Sequence, residues 1–405
     1  DRHFAPRVHF KDDQPLPPVG PGTNYYGPIA IADHAIACLK EHDKKFSDRP
    51  FFEYLAFTVP HFPVQAPADD IARYRETYRE GWDALRQQRW ERMKKMKILD
   101  AKLSPLDPVT VPSWNLPSET LRERIGSGEA SRAVAWNDLS NEQKYFQSEK
   151  MAVHAAMIDR MDREIGRVLD QLRAMNAFDN TIILFLSDNG ASAEQIIRGD
   201  GHDPAAPVGS AKTFLGIGPG WSSAANTPLR LYKSYVHEGG IATPLIVHWP
   251  DGIKAHGQLR MNPGHLIDLA PTLLELAGGK KPGTWNGQPI PTAPGRSLVP
   301  TFAKDGTVPH EYFWWFHNGH RAIRMGDWKL VSQEKDGDWE LFDLARDRSE
   351  TTNLAAKFPE KVRDLGRAWT NHLNEFSALA AQDKPLDNDP PQGKRKKSAA
   401  IEKDE

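Results

Sequence analysis

Cysteine is almost missing from this chain: Cys38 is the single one in 405 residues. That excludes an intramolecular disulfide framework. It leaves the compartment open, because large secreted enzymes also fold without disulfides. No stretch reaches the ~18 uncharged apolar residues of a membrane-spanning helix. Neither sign of charge dominates. The 52 Lys and Arg against 54 Asp and Glu give a net charge of -2, which excludes a polybasic nucleic-acid coat and an acidic disordered chain. Internal repeats are also lacking. What is present is a globular composition, with 39% apolar residues and 12 Trp, rich enough in large side chains to bury a sizeable core.

The two ends are polar. Pro15, Pro17, Pro18 and Pro21 mark the opening segment as a surface loop. The chain starts at Asp1, as a mature chain or a fragment of a longer one would. From about Ala380 the sequence carries Pro385, Pro390 and Pro391, then Lys394-Arg395-Lys396-Lys397. This composition predicts a disordered, solvated tail over 380–405. Four basic residues without interleaved aromatics are too weak a footprint for nucleic acid.

Between the ends, strands and helices alternate. Ile29, Ala32, Ala35, Ile36 and Leu39 fall on one face of a helix over 29–42. The run Phe51-Phe52-Glu53-Tyr54-Leu55-Ala56-Phe57 reads as a short buried strand. Residues 71–99 are charged and helical, and 104–128 are Pro- and Ser-rich and irregular. The clearest helix is 151–175, with Val153, Met157, Met161, Ile165, Val168 and Leu172 on one face. Thr181 to Leu186 and Thr243 to Trp249 read as buried strands, and His265 to Gly278 as a helix. This alternation predicts an α/β fold, a mostly parallel sheet with helices on both faces, over residues 1–300. Beyond it, Arg321–Val331 and Trp339–Asp343 read as antiparallel strands with tight turns. A helix from Glu360 to Phe376 follows, so 301–379 is expected to be a small C-terminal α+β subdomain.

Three pieces carry chemistry. In Ser187-Asp188-Asn189-Gly190, a carboxylate and an amide oxygen stand side by side at a strand end. Both are hard donors suited to Ca²⁺ or Mg²⁺, although the same string is a common turn. Gly190 is expected to let the backbone turn sharply. In Val59-Pro60-His61-Phe62-Pro63 two prolines stiffen a loop around one imidazole, which can donate to an oxyanion or act as a general acid; the plain alternative is a loop His. Lys233, ahead of His237-Glu238-Gly239-Gly240, can bind an anion as a point charge, or be a surface lysine before a turn. Ligands of such sheets sit at the carboxyl ends of strands, which puts His61 and Asp188-Asn189 on one rim. His202, with Asp203, could touch a substrate, while His248 and His265 read as structural. Trp221, Trp314, Trp315, His317 and His320 suit either stacking on a sugar or aryl ring or core packing.

Together these strings resemble a formylglycine-dependent sulfatase of the arylsulfatase type, in the alkaline-phosphatase superfamily. The strings are "FFEYLAFTVPHFPVQAP", "NTIILFLSDNGAS", "NTPLRLYKSYVHEGGIATPLIVHWP", "HLIDLAPTLLELAG", "HRAIRMGDWKLV" and "WELFDLARDRSETTNLA". The likeness spans Tyr26 to Phe376. It implies a sulfuric ester hydrolase in which Asp188 and Asn189 are Ca²⁺ ligands, with Mg²⁺ the lesser choice. His61 would contact the sulfate and Lys233 would bind a sulfate oxygen. The partner it implies is a small-molecule or carbohydrate sulfate ester, and the location periplasmic or secreted. Family members also carry an upstream Asp pair and a Cys (or Ser)-x-Pro-x-Arg motif whose first residue becomes formylglycine. Its hydrated aldehyde attacks sulfur, the alcohol leaves, and the hemiacetal expels sulfate. This sequence has no such motif, and Cys38 sits in Ala37-Cys38-Leu39-Lys40-Glu41 on a helix. Asp12-Asp13 ends no apolar strand. The expectation is therefore a chain lacking the N-terminal part of its domain. Two other readings stay open: a phosphatase or phosphodiesterase of the same superfamily, and a non-catalytic binder of sulfated ligands.

Overall fold

The computed structural model describes residues 2–20, 22–199, 201–290 and 294–382. The basic run and prolines of the expected tail lie outside the described residues. The chain opens with a hairpin of β1 (His9–Lys11) and β2 (Gln14–Leu16), turning at Asp12 and Asp13. Helix α1 (Gly27–Phe46) begins with Pro28 in its first turn, where the missing N–H leaves no bond unmade. The face read from sequence is the buried one: Ala32, Ala35 and Leu39 meet Val168 and Leu172 of the long helix described below.

Residues 51–57 alternate half-buried and exposed. They join no ladder among the described residues, and Phe52 and Tyr54 are 75% and 82% exposed. The expected buried strand thus has strand spacing but no strand beside it to cover it. Short helices α2 (Ala68–Ala72), α3 (Gly81–Lys95) and α4 (Ser118–Arg124) follow. Gly81 opens α3 at φ +81°, and the Trp136 ring lies 2.0 Å from where a Cβ would go, so both backbone and space call for glycine. Trp82 meets Trp136 and Trp221 edge to face, and Trp136 meets Trp221 at a tilt, with centroids 4.8 to 5.7 Å apart, all three within the main core.

Helix α5 (Asn141–Ala174) is longer than its apolar period predicted. Beyond it come β3 (Ile183–Leu186), α6 (Gly218–Ala225), α7 (Glu238–Ile241) and β4 (Leu245–His248). β3 pairs with β4 antiparallel, Ile183 opposite His248 and Leu186 opposite Leu245. A mostly parallel sheet was expected here. Among the described residues this ladder has two strands, and its outer edges pair with nothing. One pair of strands cannot display the parallel crossovers that a wider sheet would.

Next come α8 (Leu269–Leu276), the small hairpin β5 (Thr284–Trp285) and β6 (Gln288–Pro289), and α9 (Val299–Ala303). The antiparallel C-terminal sheet is as expected, with one strand more: β7 (Phe313–His317), β8 (His320–Met325), β9 (Trp328–Ser332) and β10 (Glu340–Asp343), ordered β10-β9-β8-β7. Asn318-Gly319, both at positive φ, make the two-residue loop between β7 and β8, the mirror-image turn that strand twist favours. Helix α10 (Pro359–Ala380) lays Leu365 and Trp369 on Ile323, Leu330 and Leu341. No helix among the described residues is long and apolar enough to cross a membrane.

Candidate active site

His61 follows the unpaired 51–57 segment, and the peptide bonds Val59–Pro60 and Phe62–Pro63 on either side of it are cis. Its amide donates to Thr58 O at 3.2 Å. Its ring is held at both nitrogens. Nδ1 lies 2.8 Å from Phe62 O, which can only accept, so Nδ1 carries the proton. Nε2 then bears the lone pair and accepts from Lys233 Nζ at 2.8 Å. The Lys233 Nζ and the imidazole thus share one hydrogen bond at the rim.

Lys233 lies between two non-glycine residues in the left-handed region, Leu231 (φ 62°) and Ser234 (φ 81°). Such backbone is disfavoured and persists where its surroundings over-determine it. Here the Lys233 amide donates to Ala191 O at 3.0 Å. Its ammonium also lies 3.7 Å from Glu194 Oε2.

Asp188 and Asn189 sit in the turn just past β3. Ser187 Oγ donates to Asn189 O at 2.8 Å, and Thr243 Oγ1 to Ser187 O at 2.7 Å. Gly190 N donates to Gly240 O at 3.0 Å. Gly190 is needed for close approach: a Cβ there would fall 1.8 Å from Gly239 O. The backbone bends at Asp188–Gly190 as expected, although the φ of Gly190 is not positive. The Gly239-Gly240 turn after Lys233 is therefore packed directly on the Asp188-Asn189 turn.

His61, Asp188, Asn189 and Lys233 all line one trough of about 2390 Å³. His61 and Lys233 are bonded; among the described residues no hydrogen bond joins either to Asp188 or Asn189. Asp188 is exposed and Asn189 half-buried. Their carboxylate and amide oxygens fit a hard cation by donor chemistry. They are two donors, where Ca²⁺ takes about 6–8, and no three His, Cys, Asp or Glu side chains converge among the described residues. The trough's other wall is apolar, with Phe52, Tyr54, Phe185 and Ile246 exposed on it.

The other candidates fall into place. Trp221 is fully buried and donates to Gln147 O at 2.8 Å, so it is core. Trp314 stacks on Trp369 at 5.6 Å. Trp315 O accepts from Trp369 Nε1 at 3.1 Å. His317 meets Asn318 Nδ2, and His320 packs on Tyr235 at 4.6 Å. None of these five lines the trough. His202 Nδ1 accepts from Phe214 N, His248 packs on Phe178, and His265 caps a turn by accepting from Ile267 N. Glu194 and Asn226 escaped the sequence reading as individual residues. Asn226 Oδ1 accepts from Ala191 N at 2.9 Å and its amide donates to Leu231 O at 3.0 Å, pinning the Lys233 loop to the Asp188 loop. Neither residue belongs to a chemical motif that spacing could have flagged.

The fold and rim define a class, and the comparisons agree on it. The family model for Sulfatase matches residues 2–279, and the model for the C-terminal part of N-sulphoglucosamine sulphohydrolase matches residues 230–378. The chain belongs to the sulfatase family. It is 33% identical over 376 residues to an uncharacterized sulfatase of Schizosaccharomyces pombe, covering 89% of this chain and 64% of that one. It is 31% identical over 264 residues to an arylsulfatase of Klebsiella aerogenes, covering 63% of this chain and 51% of that one. The chain thus spans between half and two thirds of the length of these relatives. Among solved structures, one in complex with its substrate D-glucosamine-2-N,6-O-disulfate superposes with a TM-score of 0.56 at 18% identity, covering 93% of this chain and 74% of that one. The fold is alkaline-phosphatase-like, with the antiparallel C-terminal sheet as a subdomain.

Proposed function

We propose that this chain supplies the anion-gripping side of a sulfate-ester hydrolase site, in a protein that cleaves a sulfate ester to alcohol and sulfate. The observation that carries this reading is the Lys233–His61 hydrogen bond of 2.8 Å on the trough that Asp188 and Asn189 also line. An ammonium with N–H groups to spare, oriented before substrate arrives, is a preorganised clamp for charge on sulfuryl oxygens. His61 would contact the sulfate beside Lys233, with which its Nε2 shares a hydrogen bond. The substrate class is a carbohydrate or aryl sulfate ester.

Asp188 and Asn189 would hold Ca²⁺, with Mg²⁺ the second choice. When bound, such an ion draws charge from the sulfuryl oxygens. Formylglycine is the nucleophile expected of the family, and its Cys/Ser-x-Pro-x-Arg precursor is not in this sequence. We place that nucleophile, and the remaining cation ligands, on a segment outside these 405 residues. Two observations support this. The relatives are longer. The outer edges of the β3–β4 ladder pair with nothing among the described residues, and Phe52, Tyr54 and Phe185 stand exposed on the same trough, as expected of a sheet that takes a further strand. Without that segment the chain would bind sulfate esters and not turn them over.

The test is hydrolysis of 4-nitrophenyl sulfate by the protein that contains this chain. Turnover is expected, falling 100-fold or more in kcat/KM with Lys233→Ala. Unchanged turnover in that variant, or turnover confined to phosphate esters, would remove the proposal.

A further inference from the structure

We infer that Glu194 is a positioning residue for Lys233, fixing the ammonium where it serves His61 and an incoming sulfuryl oxygen together. This rests on the sulfate-ester reading above. A lysine is a point charge on a flexible four-carbon stem; left alone, Lys233 would sweep the rim of a wide trough. Glu194 is built to prevent that. Its side chain is 10% exposed. Oε1 accepts from Trp114 Nε1 at 2.8 Å and Oε2 from Ser192 Oγ at 2.9 Å. These bonds orient the carboxylate independently of Lys233. Oε2 then faces the Lys233 ammonium at 3.7 Å, and Lys233 is the one cation within ion-pair reach of Glu194 among the described residues.

The backbone under Glu194 is fixed as well. Its carbonyl lies against Gly216, where a Cβ would come within 2.1 Å. Ser222 Oγ donates to Ser192 O at 2.6 Å. The next residue, Gln195, donates to Glu129 Oε1 at 2.9 Å and Ala130 O at 3.0 Å, and Glu129 itself pairs with the fully buried Lys150. One loop thus holds Lys233 at both ends, the amide through Ala191 O and the ammonium through Glu194. A carboxylate that served only as a counter-charge would oppose anion binding at this rim. One that sets geometry favours it, because the ammonium is already aimed.

These two roles give opposite results in Glu194→Gln, which keeps size and an acceptor for Trp114. The experiment uses the whole protein that contains this chain. The ring nitrogens of His61 are followed by ¹⁵N-resolved NMR, and inorganic sulfate is titrated calorimetrically at fixed ionic strength. In the unmodified protein His61 should show a protonated Nδ1 and a hydrogen-bonded Nε2. In Glu194→Gln the Nε2 resonance should move toward that of a free imidazole nitrogen, and sulfate affinity should fall five-fold or more. Glu194→Asp should recover part of both. In a Lys233→Ala background, Glu194→Gln should change affinity no further, since the effect passes through Lys233. Trp114→Phe, which frees the carboxylate without altering charge, should shift His61 in the same direction if Glu194→Gln proves unfoldable. Sulfate binding as tight as or tighter than the unmodified protein's, or unmoved His61 signals in a folded variant, overturns the inference. If the unmodified protein binds no sulfate, the functional reading fails, and the His61 signals alone decide the role of Glu194.

Discussion

His154 shows what one buried side chain does to the whole chain's response to acid. It is enclosed in α5, burial pushes its imidazole down to about 4, and its Nδ1 has no hydrogen-bond partner. The folded state keeps the ring neutral. In the unfolded chain it protonates near ~6.5. Between those values the unfolded state binds the extra proton, so stability is full above pH ~6.5 and falls as the pH drops toward 4. Burial shifts His3, His202, His265 and His320 the same way. Glu340 contributes in a lower window. Burial raises its pKa, but the hydrogen bond and charge of His237, with Arg230, outweigh that and hold it at about 2; its share is lost only below the usual Glu range of ~4.3. We expect denaturant titrations at pH 6.5 and 5 to differ by on the order of 2 kcal/mol through His154. His154→Leu should show a distinctly smaller difference. Parallel pH profiles for the two proteins would contradict this assignment.

Helix α5 shows where pattern reading stops. Its apolar face predicted a start at Met151, and the helix begins at Asn141. The first turns are polar, yet Gln147, Ser148, Glu149 and Lys150 are buried. Lys150 reaches Glu129 Oε1 at 2.6 Å and Gly216 O at 3.1 Å, so burial there follows pairing rather than hydropathy. A local signal did exist. Ser140 accepts from Gln143 N at 3.1 Å while Gln143 returns a bond to Ser140 N at 3.0 Å, a capping box legible as Ser-x-x-Gln. Ser140→Ala should cost about 1 kcal/mol, read as a lower denaturant midpoint at unchanged slope; a loss too small to measure would mean that packing alone holds the helix end. Asn318-Gly319 was likewise readable as a hairpin turn, and it places β7, which composition had left unassigned. The 51–57 run is the opposite case. Its residues favour a strand, but a ladder is a property of two strands.

Across the molecule, the C-terminal sheet reaches the rim through one buried charge cluster. Lys329 on β9 is fully buried, 2.9 Å from Glu238 Oε1 and 2.8 Å from Glu350 Oε1. Glu238 also pairs with Arg348, and its amide donates to Glu350 Oε2 at 2.7 Å. Glu238 opens α7, whose Gly239-Gly240 carbonyls press on the Asp188-Asn189 turn. Removing the lysine would leave two carboxylates sharing one arginine in the interior. Lys329→Met should therefore destabilise the fold by about 3–5 kcal/mol, measured by denaturant unfolding. A loss below about 1 kcal/mol would show that the cluster is dispensable for joining the two sheets.

The resemblance of its motif strings was enough to name the family, and local spacing to mark several helices and strands and to single out His61, Asp188, Asn189 and Lys233 as the residues to watch. Those features are written along the backbone within a few turns of each motif. The tautomer of His61, the tether of Lys233 to Glu194, the reason Gly190 bears no side chain and the open edge of β3 are not written there. Each depends on groups distant in sequence meeting within a few ångströms, and only the folded packing of the chain sets such distances.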